Sequence, residues 1–173
     1  MSISLYDTSV KSYLQILGAT SAVLDKGKAH AAASGIDLAE LLDTRLIENM
    51  GSLRFQVFCT AFHSIDAING IKAGVFSPPA SIPDLDYEGL QQLITDAEES
   101  LKNISAEEIN ALVGNDMRFE MGDFKIPFTA EGFILSFSLP NFYFHATTTY
   151  DILRMKGVPV GKMDFLGAMQ VKA

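Results

Sequence analysis

The sequence has little of what disulfide scaffolds and nucleic-acid surfaces need. Its 173 residues include a single cysteine, Cys59, so no intrachain disulfide can form and a reducing, cytoplasmic compartment is expected. Lysine and arginine number 13 against 21 acidic residues, which leaves a net charge of −8. We therefore expect no nucleic-acid partner and no anionic membrane surface, because both need clustered basic side chains. The N-terminus lacks a basic segment followed by an apolar run, so no signal peptide is expected.

Long uncharged runs are also scarce, and one of them has the length of a membrane span. Residues 132–150 are 19 positions without a formal charge. The run contains proline, asparagine, histidine and three threonines, and such polar groups are costly in lipid unless they are partnered. We interpret it as a buried core helix. The content of 48% hydrophobic residues fits one globular domain over residues 1–173.

Hydrophobic periodicity predicts four long helices. Apolar side chains recur at three- and four-residue spacing, and the predicted helices cover residues 7–34, 52–72, 86–103 and 129–156. A short helix after Asp37 and a capped turn at residues 105–108 are also expected. The tail, residues 158–173, has no helical period.

A change of period marks a different element before the last helix. Apolar and polar side chains alternate over residues 117–128, which is the period of a β-strand. Gly122-Asp123 is typical of a two-residue hairpin turn with glycine first, and it sets Met121 opposite Phe124. The whole pattern predicts an all-α fold: an antiparallel four-helix bundle with a short β-hairpin between helices three and four.

The fourth predicted helix carries a polar stripe. Asn141, His145 and Thr149 repeat every four residues and share one face. Pro140 precedes them inside the helix, and we expect it to remove the bond to the Ser136 carbonyl and bend the axis.

The second predicted helix offers a matching face with Cys59, His63 and Asp66. Metal sites in helix bundles are built from inward side chains on facing helices, and imidazoles with a thiolate suit zinc or another late divalent metal. Each of these side chains also has a structural interpretation: a hydrogen-bonded core histidine, or a cysteine acting as a small buried apolar residue.

A family resemblance sharpens this picture. The stretch from Asn141 to Gly157 resembles the last helix of the DinB/YfiT-like superfamily, where a His-three residues-His pattern is followed by Leu-Arg and then glycine. His145 takes the place of the second histidine, with Arg154 and Gly157 at matching offsets, and His63 takes the place of the histidine from helix two. The opening and the ending of the chain are also similar to a bacterial branch of that superfamily, a domain of unknown function.

The resemblance implies a divalent-metal site, zinc or nickel, because metal-binding members of the superfamily hold the ion with three histidines. Here Asn141 stands where the first histidine of the helix-four pair should be, and an amide is a poor replacement for imidazole. His63 and His145 remain, and Cys59 could restore a third ligand. We favour a degenerate relative in which His63, Asn141 and His145 persist as a buried polar cluster or a small-ligand pocket. The alternative is an active divalent-metal-dependent thiol S-transferase or isomerase, as in some members.

We expect structural roles for the remaining candidate residues. His30 lies near the end of the first helix and is expected to be solvated, and Arg154 is expected to form a salt bridge with Asp151 or a neighbouring helix. No nucleotide-binding loop, nucleophile elbow or HExxH zinc motif is present. The possible partners are thus a small molecule or a thiol.

The tail also predicts an assembly. Val158, Val160, Phe165 and Leu166 follow the last helix, and if they are exposed they form an apolar patch of the kind that marks an interface. We expect a homodimer on this basis. The alternative is that the tail packs onto its own bundle.

Overall fold

Helices carry most of the chain in the computed structural model, which describes residues 3–172. In chain order they are α1 (Leu5–Thr8), α2 (Val10–Ser34), α3 (Leu38–Asp43), α4 (Leu53–Ala61), α5 (Ala67–Ala73), α6 (Tyr87–Lys102), α7 (Ala106–Asn110), α8 (Ala130–Phe133), α9 (Leu139–Met155) and α10 (Lys162–Leu166). Two π-helical turns, Phe62–Asp66 and Ile134–Ser138, join α4 to α5 and α8 to α9. The four predicted long helices are therefore present.

Local chemistry sets several helix ends. The side chains of Asp86 and Thr129 accept hydrogen bonds from backbone N–H groups three residues on and so cap α6 and α8. At the end of α2, Gly35 adopts the left-handed conformation with φ of +66°, which glycine reaches without a steric cost.

The predicted hairpin is part of a three-stranded sheet. Its strands are β1 (Val75–Phe76), β2 (Asp116–Met121) and β3 (Phe124–Thr129), in the order β1-β2-β3. The antiparallel pairing of β2 with β3 sets Met121 opposite Phe124 as predicted, across a turn in which Gly122 has φ of +58°. Strand β1 pairs parallel to β2 and was missed, because two residues after a helix carry no periodic signal. The fold is thus mostly helical with a small sheet.

The long helices pack around one hydrophobic core. Helix α2 contacts α6 and α9, and α4 contacts the same two helices from the other side. One face of the uncharged run at 132–150 lies in this core, with Phe133, Phe142 and Ala146 buried, whereas Leu135 and Phe144 are exposed. Within the described residues no helix has the length and apolar character that a membrane crossing requires.

The tail packs against its own helices. Val158 and Val160 are buried, and the short helix α10, which the sequence did not predict, lies against α2. The side chain of Gln15 donates to the Leu166 carbonyl over 2.8 Å. The ring of Phe165 packs edge-on against the ring of Tyr150 in α9. The expectation of an exposed apolar tail is wrong, because α2 offers it a partner surface. The homodimer stays a prediction without this patch to support it.

Candidate functional site

The candidate residues enter the core beside the two π turns. His63 lies in the first, Phe62–Asp66, and the second, Ile134–Ser138, leads into α9. Pro140 is the second residue of α9 and has no N–H, so it cannot form the regular helical bond to the Ser136 carbonyl. The disturbance that the sequence predicts as a bend takes the form of a π turn here. Such turns occur often at functional sites.

A buried chain of hydrogen bonds ties the two π turns together. The hydroxyl of Ser138 donates to the His63 carbonyl over 2.6 Å, so its oxygen accepts from the Tyr13 hydroxyl at 2.7 Å. Burial raises the pKa of Tyr13 above its usual value, which keeps this phenol protonated as a donor. The chain holds the backbone of His63 against the second π turn and so fixes the origin of its side chain.

The rings of His63 and His145 lie side by side, and we call them the histidine pair. Their centroids are 5.5 Å apart, their planes differ by 12°, and each residue is only 8% exposed. Burial lowers the pKa of His63 to about 3, with a smaller contribution from His145, whose own pKa is lowered to about 4 by burial. Both rings are therefore neutral at neutral pH. Five phenylalanine rings surround them: Phe55, Phe62, Phe76, Phe137 and Phe144.

A buried glutamine holds one ring of the pair. Gln56 donates from Nε2 to the Gly51 carbonyl over 3.0 Å, and its Oε1 lies 2.7 Å from Nδ1 of His145. A carbonyl only accepts, so the bond to Gly51 fixes which end of the amide faces the ring. Sequence reasoning missed Gln56. The available signal was a polar residue two turns before His63, on the same face of an apolar helix.

The other nitrogens of the pair are without protein partners. Within residues 3–172 no hydrogen bond reaches Nδ1 of His63, which is buried. The Nε2 atoms of both rings likewise lack a partner in that part of the chain, but neither is enclosed. Each ring of the pair thus has one nitrogen, Nε2, that is neither bonded within the described residues nor fully buried.

Comparison with known families matches residues 5–166 to a domain of unknown function, DUF1993. The chain belongs to the DUF1993 family. It is also similar to a crystal structure of a DinB family member protein from Shewanella denitrificans, with a TM-score of 0.78 and 29% sequence identity. That match covers 98% of this chain and 95% of the other. The DinB-like resemblance is thus confirmed. A search of curated proteins finds no match.

The other two residues of the predicted ligand set, Asn141 and Cys59, form no hydrogen bond with the histidine pair within residues 3–172. The Asn141 amide nitrogen donates to the Phe137 carbonyl of its own helix over 2.7 Å, one turn back. Cys59 is buried, and burial raises the pKa of its thiol to about 12, so no thiolate is available at neutral pH. The interpretation of Cys59 as a small buried apolar residue fits this environment.

Other predicted side chains have separate surroundings. The Thr149 hydroxyl is buried without a partner among the described residues, and Asp66 lies exposed. Arg154 is exposed and forms no ion pair within residues 3–172, so the predicted salt bridge is wrong. His30 is half-buried rather than solvated. Gly157 lies close to it: a Cβ at position 157 would be 3.4 Å from His30 Nε2.

The donor set does not fit a resident catalytic metal of the DinB-like kind. Such an ion needs three protein ligands, and no group of three His, Cys, Asp or Glu side chains with metal-binding geometry occurs in the described part of this DUF1993 chain. His63 and His145 supply two imidazoles. Cys59 completes no such group of three in this part of the chain, and the Asn141 amide is a poor replacement for imidazole on zinc or nickel. The residues are better suited to hydrogen bonding than to metal coordination.

Proposed function

We propose that this DinB-like protein binds a small neutral ligand through His63 and His145, in the position where metal-binding relatives hold a divalent ion. The observation that carries the proposal is that position 63 keeps an imidazole although its enclosed Nδ1 has no partner among residues 3–172. Leaving such a group unsatisfied costs about 1–3 kcal/mol, and a purely structural position would avoid that cost with an apolar ring. Unsatisfied buried groups of this kind therefore favour a functional role.

The surface beside the pair supports a ligand with an apolar body. Phe55 and Phe144 both meet the ring of His145 edge-on, and they are 37% and 53% exposed. Exposed aromatic rings around open polar atoms are typical of small-molecule sites, where apolar contact supplies affinity and a few polar groups set orientation. A ligand that covers these two rings would reach the open nitrogens.

We propose that α2, α4 with α5, α6, and α8 with α9 form the antiparallel four-helix bundle of DinB-like proteins, since each long segment contacts two others. One domain over residues 1–173, a cytoplasmic location and a homodimer are proposed with it, on the sequence arguments given above.

Metal uptake tests the site directly. Zinc and nickel binding is measured by calorimetry on protein purified without a histidine tag, for the native chain, Asn141→His and the control Asn141→His/His145→Ala. Two imidazoles leave the ion under-coordinated, so we expect weak binding by the native chain. The added imidazole one turn before His145 should raise the affinity by orders of magnitude, and the control should lose that gain.

Two outcomes would overturn parts of this proposal. Tight stoichiometric binding by the native chain would refute the ligand site without metal and favour the divalent-metal-dependent thiol S-transferase or isomerase. No gain in Asn141→His would mean that position 141 does not correspond to the missing histidine of the metal-binding relatives.

A further inference from the structure

We infer that His63 and His145 hold opposite tautomers, so that together they present one N–H donor and one lone pair to a ligand. The group that matches both at once is a neutral one with an acceptor and a donor side by side, such as a primary carboxamide. This inference rests on the proposed function, because it names the chemistry of the ligand at that same site.

The tautomer of His145 follows from Gln56. The amide nitrogen of Gln56 is committed to the Gly51 carbonyl, so its oxygen faces Nδ1 of His145 at 2.7 Å. If the Gln56 amide were flipped, its Oε1 would face the Gly51 carbonyl oxygen, and two acceptors cannot form a hydrogen bond. An oxygen that only accepts requires a proton on Nδ1, and a neutral imidazole carries only one. The Nε2 atom of His145 is therefore a lone pair.

The tautomer of His63 follows from the surroundings of its Nδ1. That atom is buried beside phenylalanine rings and has no partner among residues 3–172, whereas Nε2 is open. A proton on Nδ1 would be an enclosed donor without an acceptor, the rarest kind of unsatisfied group in proteins. A proton on Nε2 can reach water or a ligand instead. His63 is therefore an N–H donor at Nε2.

The resulting pair discriminates between ligand charges and hydrogen-bonding patterns. A carboxamide oxygen accepts from Nε2–H of His63 while its N–H donates to Nε2 of His145. A carboxylate has no proton for the lone pair of His145, and an ammonium group has no lone pair for the donor of His63. The enclosing phenylalanine rings disfavour any charged group at this position. The exposed rings of Phe55 and Phe144 would contact the apolar body of the ligand.

Ring nitrogen NMR tests the tautomers without any ligand. A long-range ¹H–¹⁵N spectrum distinguishes a protonated ring nitrogen from a lone pair for each histidine. We expect Nδ1–H on His145 and Nε2–H on His63. Gln56→Leu should release His145 into a mixture of tautomers, while Gln56→Glu keeps an acceptor at Nδ1 and should keep the tautomer. The same tautomer on both rings of the native chain would overturn the inference.

Three matched probes test the ligand class on the full-length protein. Benzamide has both groups, N,N-dimethylbenzamide keeps only the acceptor, and benzoate is an anion without a donor. We expect benzamide to shift both ring signals and to bind about tenfold more tightly than either analogue, since an unpaired buried group costs about that factor. Equal binding of all three would overturn the carboxamide class and leave a ligand site. If no probe shifts either ring, the proposed function fails with it.

Discussion

Acid should unfold this protein earlier than its carboxylates alone would require, because two buried histidines must remain neutral. In the unfolded chain a histidine has a pKa near 6.5, whereas in the folded chain the pKa is about 3 for His63 and about 4 for His145. Below pH 6.5 the two histidines are therefore protonated in the unfolded state but remain neutral in the folded state. The free energy of unfolding falls as the pH falls, until the folded-state values are reached.

The size of the effect follows from these values. Between pH 7.5 and pH 5 each ring should remove about 2 kcal/mol from the free energy of unfolding, so the pair removes about 4 kcal/mol. That is a large part of the total for a domain of this size. Ion pairs and hydrogen bonds lower the pKa of exposed carboxyls such as Glu88 and Glu108, so their contribution is present above the unfolded value and is lost only at lower pH. These carboxyls therefore titrate below the window above pH 5. Burial raises the pKa of Asp66, so its titration would favour the folded state as the pH falls and would oppose the slope of the histidines.

Urea unfolding followed by circular dichroism at a series of pH values measures this slope. His63→Phe should remove about half of it, and His63→Phe/His145→Gln nearly all. At pH 7.5 His63→Phe should also stabilise by about 1 kcal/mol, because the unpartnered nitrogen is gone. A double variant with the native slope would refute the claim that this pair is buried and neutral.

Two further predictions concern the support of the site. Ser138→Ala should destabilise by about 1–3 kcal/mol in urea unfolding, because the His63 carbonyl loses its buried donor; unchanged stability and unchanged ring signals would count against the chain between the π turns. Gly27→Ala should cost about 1–3 kcal/mol in the same assay, because its Cβ would lie 2.5 Å from the Tyr87 hydroxyl oxygen. Gly18→Ala, on the same helix, should stabilise by about 0.5–1 kcal/mol, because its Cβ would come no closer than 4.0 Å to the Glu98 carboxylate. A similar loss in both variants would contradict the steric explanation.

The sequence by itself determined the elements whose signals are local. The four long helices lie within a few residues of their predicted bounds, because apolar spacing and capping side chains act over one or two turns. The register of β2 with β3 was predictable for the same reason, since a two-residue turn sets the pairing. His63 and His145 were also identifiable, through their spacing and the DinB-like pattern around Arg154 and Gly157.

Only the tertiary structure decided what those histidines can do. The partner of His145 is Gln56, 89 positions away along the chain, and the enclosure of His63 comes from rings on several elements. The Asn141 amide nitrogen bonds to the Phe137 carbonyl of its own helix, a local contact that residue spacing does not reveal. The tail packs against α2, and that contact likewise joins segments that are far apart in the sequence. Burial and protonation depend on which distant surfaces meet, and those meetings set the two tautomers and the two pKa values.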